Sequence, residues 1–122
     1  MGIRQGCLVR AIAGLQTYDG LTIADFFISK KAGSSWPRRL LDDSARAYLA
    51  ATMVRVNEAL KAELMSEDTA YRVTKKINDT FDALDNKSYE KASESVMDAS
   101  VIAMDEAMQK VVECEKEEIY ES

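Results

Sequence analysis

Acidic residues at helical spacing are the side chains of this chain that could carry chemistry. The acids that recur along one C-terminal segment are Glu90, Glu94, Asp98, Asp105, Glu113 and Glu117. Aligned carboxylates form a solvated face, dock a basic surface of the same chain or of a partner, or bind a divalent cation. Metal sites in helical bundles pair Glu with a Glu-x-x-His motif. Because the chain has no histidine, we predict no metal and no cofactor. We predict instead that these acids form a face that docks a partner protein with a basic surface.

Two basic pairs form a second candidate site. Lys30-Lys31 and Arg38-Arg39 lie on either side of a turn that contains glycine and proline. The segment 21–41 resembles a helix-turn-helix in outline, with an L-T-x-A-acid start and R-L-L in its second helix. The resemblance implies that the four basic residues are candidate phosphate contacts, with Arg38 and Arg39 at the start of the recognition helix. A small nucleic-acid-binding protein with C-terminal oligomerisation helices is therefore the alternative function, although the sequence pI of about 4.8 opposes it.

Nucleophilic catalysis has little support in the sequence. Cys7 and Cys114 have no histidine to activate them, and both fall on apolar seams. Their wide separation predicts two free thiols in a reducing compartment, with one long-range disulfide as the alternative. No Gly-rich phosphate loop or G-x-S-x-G turn is present, so we predict that the protein is not an enzyme. No apolar run reaches the ~20 residues that span a bilayer, and we expect a cytoplasmic protein with no membrane partner.

The elements that position these residues are predicted to be helices. From residue 38 onward the sequence has neither Gly nor Pro, which leaves only polar caps to separate helices. Apolar residues at steps of three and four predict helices over 3–16, 23–31, 36–65, 67–85 and 89–117. The segments 18–20 and 32–35, each with a glycine, are expected to separate the first three helices, and Ser66 is the predicted N-cap of the fourth. The short helix that begins at Ile23 is very apolar and is expected to be buried. The fold class is therefore all-α, an elongated four- to five-helix bundle with two long antiparallel helices. We expect a single domain, 1–122, made of short basic N-terminal helices over 1–35, a long-helix bundle over 36–118 and a frayed tail over 119–122.

The last predicted helix carries two neighbouring apolar seams. The first is rich in alanine and comprises Ala92, Val96, Ala99, Ala103, Ala107, Val111 and Cys114. The second is rich in methionine and comprises Met97, Val101, Met104, Met108 and Val112. Together they are wider than the apolar stripe of an ordinary surface helix. Packing against two neighbouring helices explains this width, and contact of the methionine seam with another subunit or a partner is the sharper alternative.

The charge distribution completes the prediction. Residues 1–40 hold six Lys/Arg against two acids, a net charge of +4, whereas residues 89–122 hold three Lys against ten acids, a net charge of −7. The positive charge of the first segment and the negative charge of the last one are neutralised by each other, either within one chain or between chains. We expect a protein–protein interaction module, such as an inhibitor, an immunity- or antitoxin-like factor, an adaptor or a small subunit of a homo-oligomer or complex. It would act by occlusion or scaffolding through a helical face, with acidic steering of the partner.

Overall fold

The computed structural model describes the backbone of residues 2–31 and 35–121 and the side chains of 8–31 and 35–116. Within these residues the regular structure is four α-helices: α1 (Gly2–Ile28), α2 (Arg38–Lys61), α3 (Glu67–Asp85) and α4 (Tyr89–Glu121). Each helix packs against its chain neighbours, and α1 also packs against α4, so the four helices form a closed ring. Short connections make neighbouring helices antiparallel. The all-α prediction is confirmed as a four-helix bundle.

The first helix is continuous, and the prediction of two short N-terminal helices is wrong. The sequence 18–20 was expected to stop a helix, but α1 passes through it without interruption. Gly14 and Gly20 lie at close helix contacts instead of in a turn. A Cβ on Gly14 would lie 2.9 Å from Ala107 Cβ, and a Cβ on Gly20 would lie 2.3 Å from Thr52 Oγ1. Much of the break predicted at 32–35 lies outside the described residues.

The helix α3 begins at a polar cap, whereas α2 begins after Pro37 with no side-chain cap hydrogen bond and has Ala62 as its C-cap. Ser66 is the N-cap of α3, and its hydroxyl accepts a hydrogen bond from the Thr69 N–H at 3.2 Å. The chain then leaves α2 and α3 through single residues in the left-handed region, Glu63 with φ of 59° and Lys87 with φ of 56°. These residues end α2 at Lys61, earlier than the predicted 36–65. In contrast, α4 continues to Glu121, three residues into the predicted frayed tail.

The core lies between the apolar faces of the four helices. The predicted stripes of α2, α3 and α4 supply most of it, because their residues at steps of three and four face inward. The most deeply buried side chains of these helices include Leu41, Leu49, Val56, Val73, Ile77, Leu84 and Val96. Small residues fill the α4 side of the core, where Ala92, Ala99, Ala103 and Ala107 are buried. The predicted alanine seam is thus confirmed as a core face over these positions.

Two expectations about individual side chains near the helix ends are wrong. The segment from Ile23 onward was predicted to be buried, yet Ile23 is 39% and Phe26 is 49% exposed. Among the described helices α1 packs against α2 and α4 only, so its remaining side faces solvent. Free thiols were also predicted, whereas Cys114 is disulfide-bonded. The only other cysteine of the chain is Cys7, whose side chain lies outside the described residues.

Candidate functional site: the outer face of helices α1 and α4

The most extensive helix–helix contact of the bundle is that between α1 and α4. Gly14 lies against Ala107 and against the carbonyl oxygen of Ala103, which a Cβ on the glycine would approach to 3.1 Å. About three turns further along α1, the Ser93 hydroxyl donates a hydrogen bond of 2.6 Å to the buried carboxylate of Asp25. From the first contact to the second, the residue number rises along α1 and falls along α4. The two helices are therefore antiparallel.

Next to this contact line lies an exposed apolar surface, here called the α1–α4 face. Leu15 follows Gly14 and Met108 follows Ala107, so each side chain lies about 100° round its helix from the contact. Since the helices are antiparallel, this step turns both side chains to the same side of the pair. The residues of the face are Leu8, Ile12, Leu15 and Phe26 of α1 and Met97, Val101, Met104, Met108 and Val112 of α4.

The α1–α4 face is large for the surface of a single chain. Its exposed fractions run from 38% for Leu15 to 55% for Val101, and Met104 is half-buried between the two helices. At roughly 90 Å² for each of eight half-exposed side chains, the residues of the face together expose on the order of 700 Å², interrupted on the α1 side by Asp19. The methionine seam predicted from sequence is therefore exposed, and α1 extends it.

Acidic side chains border the face along α4. Glu90, Glu94 and Asp105 are exposed, and no ion pair joins them to another described residue. Asp98 lies at the edge towards α3, where its carboxylate is 3.4 Å from Lys76 Nζ.

The other two predicted acids, Glu113 and Glu117, are not part of this border. Glu113 is engaged by Lys110 Nζ at 3.3 Å, and the side chain of Glu117 lies outside the described residues. The six predicted acids are therefore not one uniform surface. The unpaired group is Glu90, Glu94 and Asp105.

The basic residues predicted as phosphate contacts separate into two groups. Lys30, Lys31 and Arg39 are exposed at the turn between α1 and α2. Arg38 points into the bundle instead: it donates to the Ile28 carbonyl oxygen at 2.8 Å, and its guanidinium lies 3.4 Å from the centre of the Tyr89 ring. Of the four predicted phosphate contacts, Arg38 is therefore engaged within the bundle, and the other three side chains are exposed to solvent.

The helix-turn-helix outline predicted over 21–41 is not formed. In that motif the two helices cross at about 90–120°. Here α1 and α2 lie side by side and antiparallel, because Gly20 contacts Thr52 and Phe27 stacks on Tyr48 with ring centres 5.7 Å apart. Phe27 and Trp36 also stack, at 6.1 Å, so these aromatic rings close the α1–α2 end of the bundle.

Sequence reasoning missed two polar clusters at this end of the bundle. Asp25 is 8% exposed and accepts hydrogen bonds from the hydroxyls of Ser29 and Ser93. Beside it, the Tyr89 hydroxyl donates to Asp42 at 2.9 Å. These residues are of ordinary types at unremarkable spacing, and only the tertiary fold brings them together, so no sequence signal identifies them. Their contacts join the start of α4 to α1 and α2.

A third missed contact lies at the opposite end. Glu106 is 6% exposed, and one of its carboxylate oxygens accepts a hydrogen bond from the Ser66 N–H at 3.2 Å. This contact places a buried carboxylate at the N-terminus of α3, where the helix dipole favours negative charge. It joins α4 to the start of α3.

The described part of the chain holds neither a metal-binding cluster nor a membrane-spanning helix. No group of three or more acidic or cysteine side chains there has a geometry that could hold a metal ion. None of the helices over the same residues is both long enough and apolar enough to cross a bilayer. Comparison with known proteins adds no assignment: the chain matches no family model, no curated protein and no solved structure.

Proposed function

We propose that the chain is a non-enzymatic protein–protein interaction module whose docking surface is the α1–α4 face. The observation that supports this proposal is the exposed apolar area of on the order of 700 Å², close to the ~800 Å² that each partner contributes to a standard interface. Leaving such an area in water is costly, and covering it stabilises a complex. The module would act as an inhibitor, adaptor or small subunit, by covering or positioning its partner.

The composition of the face suits protein recognition. Met97, Met104 and Met108 have flexible, polarisable side chains that adapt to irregular apolar surfaces. The unpaired acids beside them, Glu94 and Asp105, would attract a basic partner and raise the association rate. Burial of the methionines would then supply affinity, while the acids would supply orientation.

Paired variants test this function. Val101→Thr with Met108→Gln, here called the face variant, keeps side-chain size and makes the face polar. Leu40→Gln with Val54→Thr, here called the control variant, makes the same kind of change at exposed sites of α2. Circular dichroism verifies that both variants fold. Immobilised chains are then used to capture proteins from an extract, and each captured protein is titrated against all three chains.

The proposal expects a partner that binds the original chain and the control variant alike and binds the face variant at least tenfold more weakly. Equal binding to all three chains would contradict it. Titration of duplex DNA at 50 and 200 mM salt tests the alternative function, for which Lys30, Lys31 and Arg39 remain exposed. Phosphate-driven binding weakens steeply with salt, and the interaction-module proposal expects no such binding.

A further inference from the structure

We infer that the partner presents a cationic amphipathic α-helix, and that this helix lies in the groove between α1 and α4. This inference rests on the proposed function and makes it more specific. It names the secondary structure, the length and the flanking charge of the element that covers the α1–α4 face.

The shape of the face fits a helix. Two ridges run along the groove, with Leu15 and Phe26 on the α1 side and Val101 and Met108 on the α4 side, and half-buried Met104 lies between them. Side-chain ridges of one helix pack into the grooves of others. On the inner side of the pair, α2 and α3 fill the corresponding space, whereas no described residue covers the outer side.

The length of the groove sets the length of its occupant. From Met97 to Val112 the face runs along α4 for about 23 Å at ~1.5 Å per residue. A helix of about 16 residues spans this distance in four to five turns. Anchors at i, i+3, i+4 and i+7 are the pattern by which amphipathic helices dock in apolar grooves.

The charge around the groove selects a cationic helix over a second copy of this chain. Asp19 interrupts the α1 ridge, and Glu90, Glu94 and Asp105 border the α4 ridge; all four acids are exposed. No ion pair joins any of them to another described residue. Face-to-face pairing of two copies would bring these acids close to each other, and like charges at an interface disfavour association. Lysine or arginine beside the apolar stripe of a partner helix would neutralise them.

The probe for the test is an 18-residue amphipathic peptide of leucine and lysine, with leucines at i, i+3, i+4 and i+7. Its matched counterpart replaces every lysine with glutamate. Binding of each labelled peptide to the intact chain is measured by fluorescence anisotropy at 50 and 200 mM salt. We expect the lysine peptide to bind at least tenfold more tightly than the glutamate peptide, and to bind several-fold more weakly at the higher salt concentration.

Variants separate docking in the groove from general attraction to an acidic protein. The face variant should weaken binding of the lysine peptide at least tenfold, and Glu94→Gln with Asp105→Asn should weaken it about threefold to tenfold, as expected for exposed charge pairs. Asp79→Asn with Asp82→Asn removes the same charge from the exposed side of α3 and should leave the affinity unchanged.

Three results would overturn the inference. Equal loss from the α3 and α4 charge variants would show nonspecific attraction, and equal affinity for both peptides would show that charge does not select the partner. Sedimentation of the original chain as a dimer, with the face variant as a monomer, would assign the groove to a second copy. In each case a protein partner captured through the face would still support the proposed function, so the two proposals fail separately.

Discussion

Gly20→Ala should destabilise the protein, and Thr52→Ala should reverse the effect. A Cβ on residue 20 would lie 2.3 Å from Thr52 Oγ1, more than 1 Å inside an ordinary contact distance of 3.4 Å. Thr52 is 2% exposed, and its hydroxyl donates to the Tyr48 carbonyl oxygen at 2.7 Å. The side chain has no free space to move into, so α1 and α2 must separate or Thr52 must lose its hydrogen bond.

Two opposing terms set the magnitude for Gly20→Ala. Overpacking of this kind costs about 1–3 kcal/mol, whereas replacing glycine by alanine inside a helix contributes about 1 kcal/mol of stability. The net expectation is a loss of about 1 kcal/mol in the free energy of unfolding. Thr52→Ala alone should also cost about 1 kcal/mol for the hydrogen bond and the methyl group it removes. The double variant removes the clash and keeps the helix-propensity gain.

Urea unfolding followed by circular dichroism measures all four proteins. The double variant should be at least as stable as the original chain, which gives a favourable coupling between the two sites of about 2 kcal/mol. Gly14 provides the contrast, because its neighbours include the Ala103 carbonyl oxygen, a backbone atom that no side-chain change removes. Additive losses from Gly20→Ala and Thr52→Ala would refute the close crossing of α1 and α2.

Three further changes test other contacts of the bundle. Lys87→Gly should raise the free energy of unfolding by about 1 kcal/mol, because glycine adopts the left-handed conformation without steric cost; unchanged stability in urea would count against that conformation. Tyr89→Phe should lower the free energy of unfolding by about 1 kcal/mol, because it removes the hydrogen bond to Asp42; the same urea titration measures this change. Cys114→Ser should lower it by about 2–4 kcal/mol without reductant, and the gap should vanish when the original chain is reduced; an equal gap in both conditions would contradict the disulfide.

Local sequence patterns predicted the later helices well. Steps of three and four among apolar residues placed α2, α3 and α4, and the serine at 66 marked the start of α3. These signals are local, because helical periodicity and capping depend on residues within one or two turns. Met97, Val101 and Met108 are exposed, which agrees with the prediction that the apolar seams of this helix are together wider than the stripe of an ordinary surface helix.

The errors arose where tertiary contacts decide the outcome. The segment 18–20 was interpreted as a helix stop, but packing of α1 against Thr52 requires the absence of a side chain at Gly20. Arg38 likewise looked available for phosphate, and only the fold shows its contacts with Ile28 and Tyr89. No pattern within one segment reports contacts between segments that are far apart in sequence.

Methionine methyl NMR tests the docking surface most directly. Besides Met1, the chain carries Met97, Met104 and Met108 on the α1–α4 face, and Met53 and Met65 elsewhere in the bundle. Titration with the leucine–lysine peptide should shift the three face methyl resonances in a saturable way and leave those of Met53 and Met65 in place. Saturable shifts at Met53 or Met65, with the face resonances unmoved, would contradict the assignment of the α1–α4 face as the docking surface.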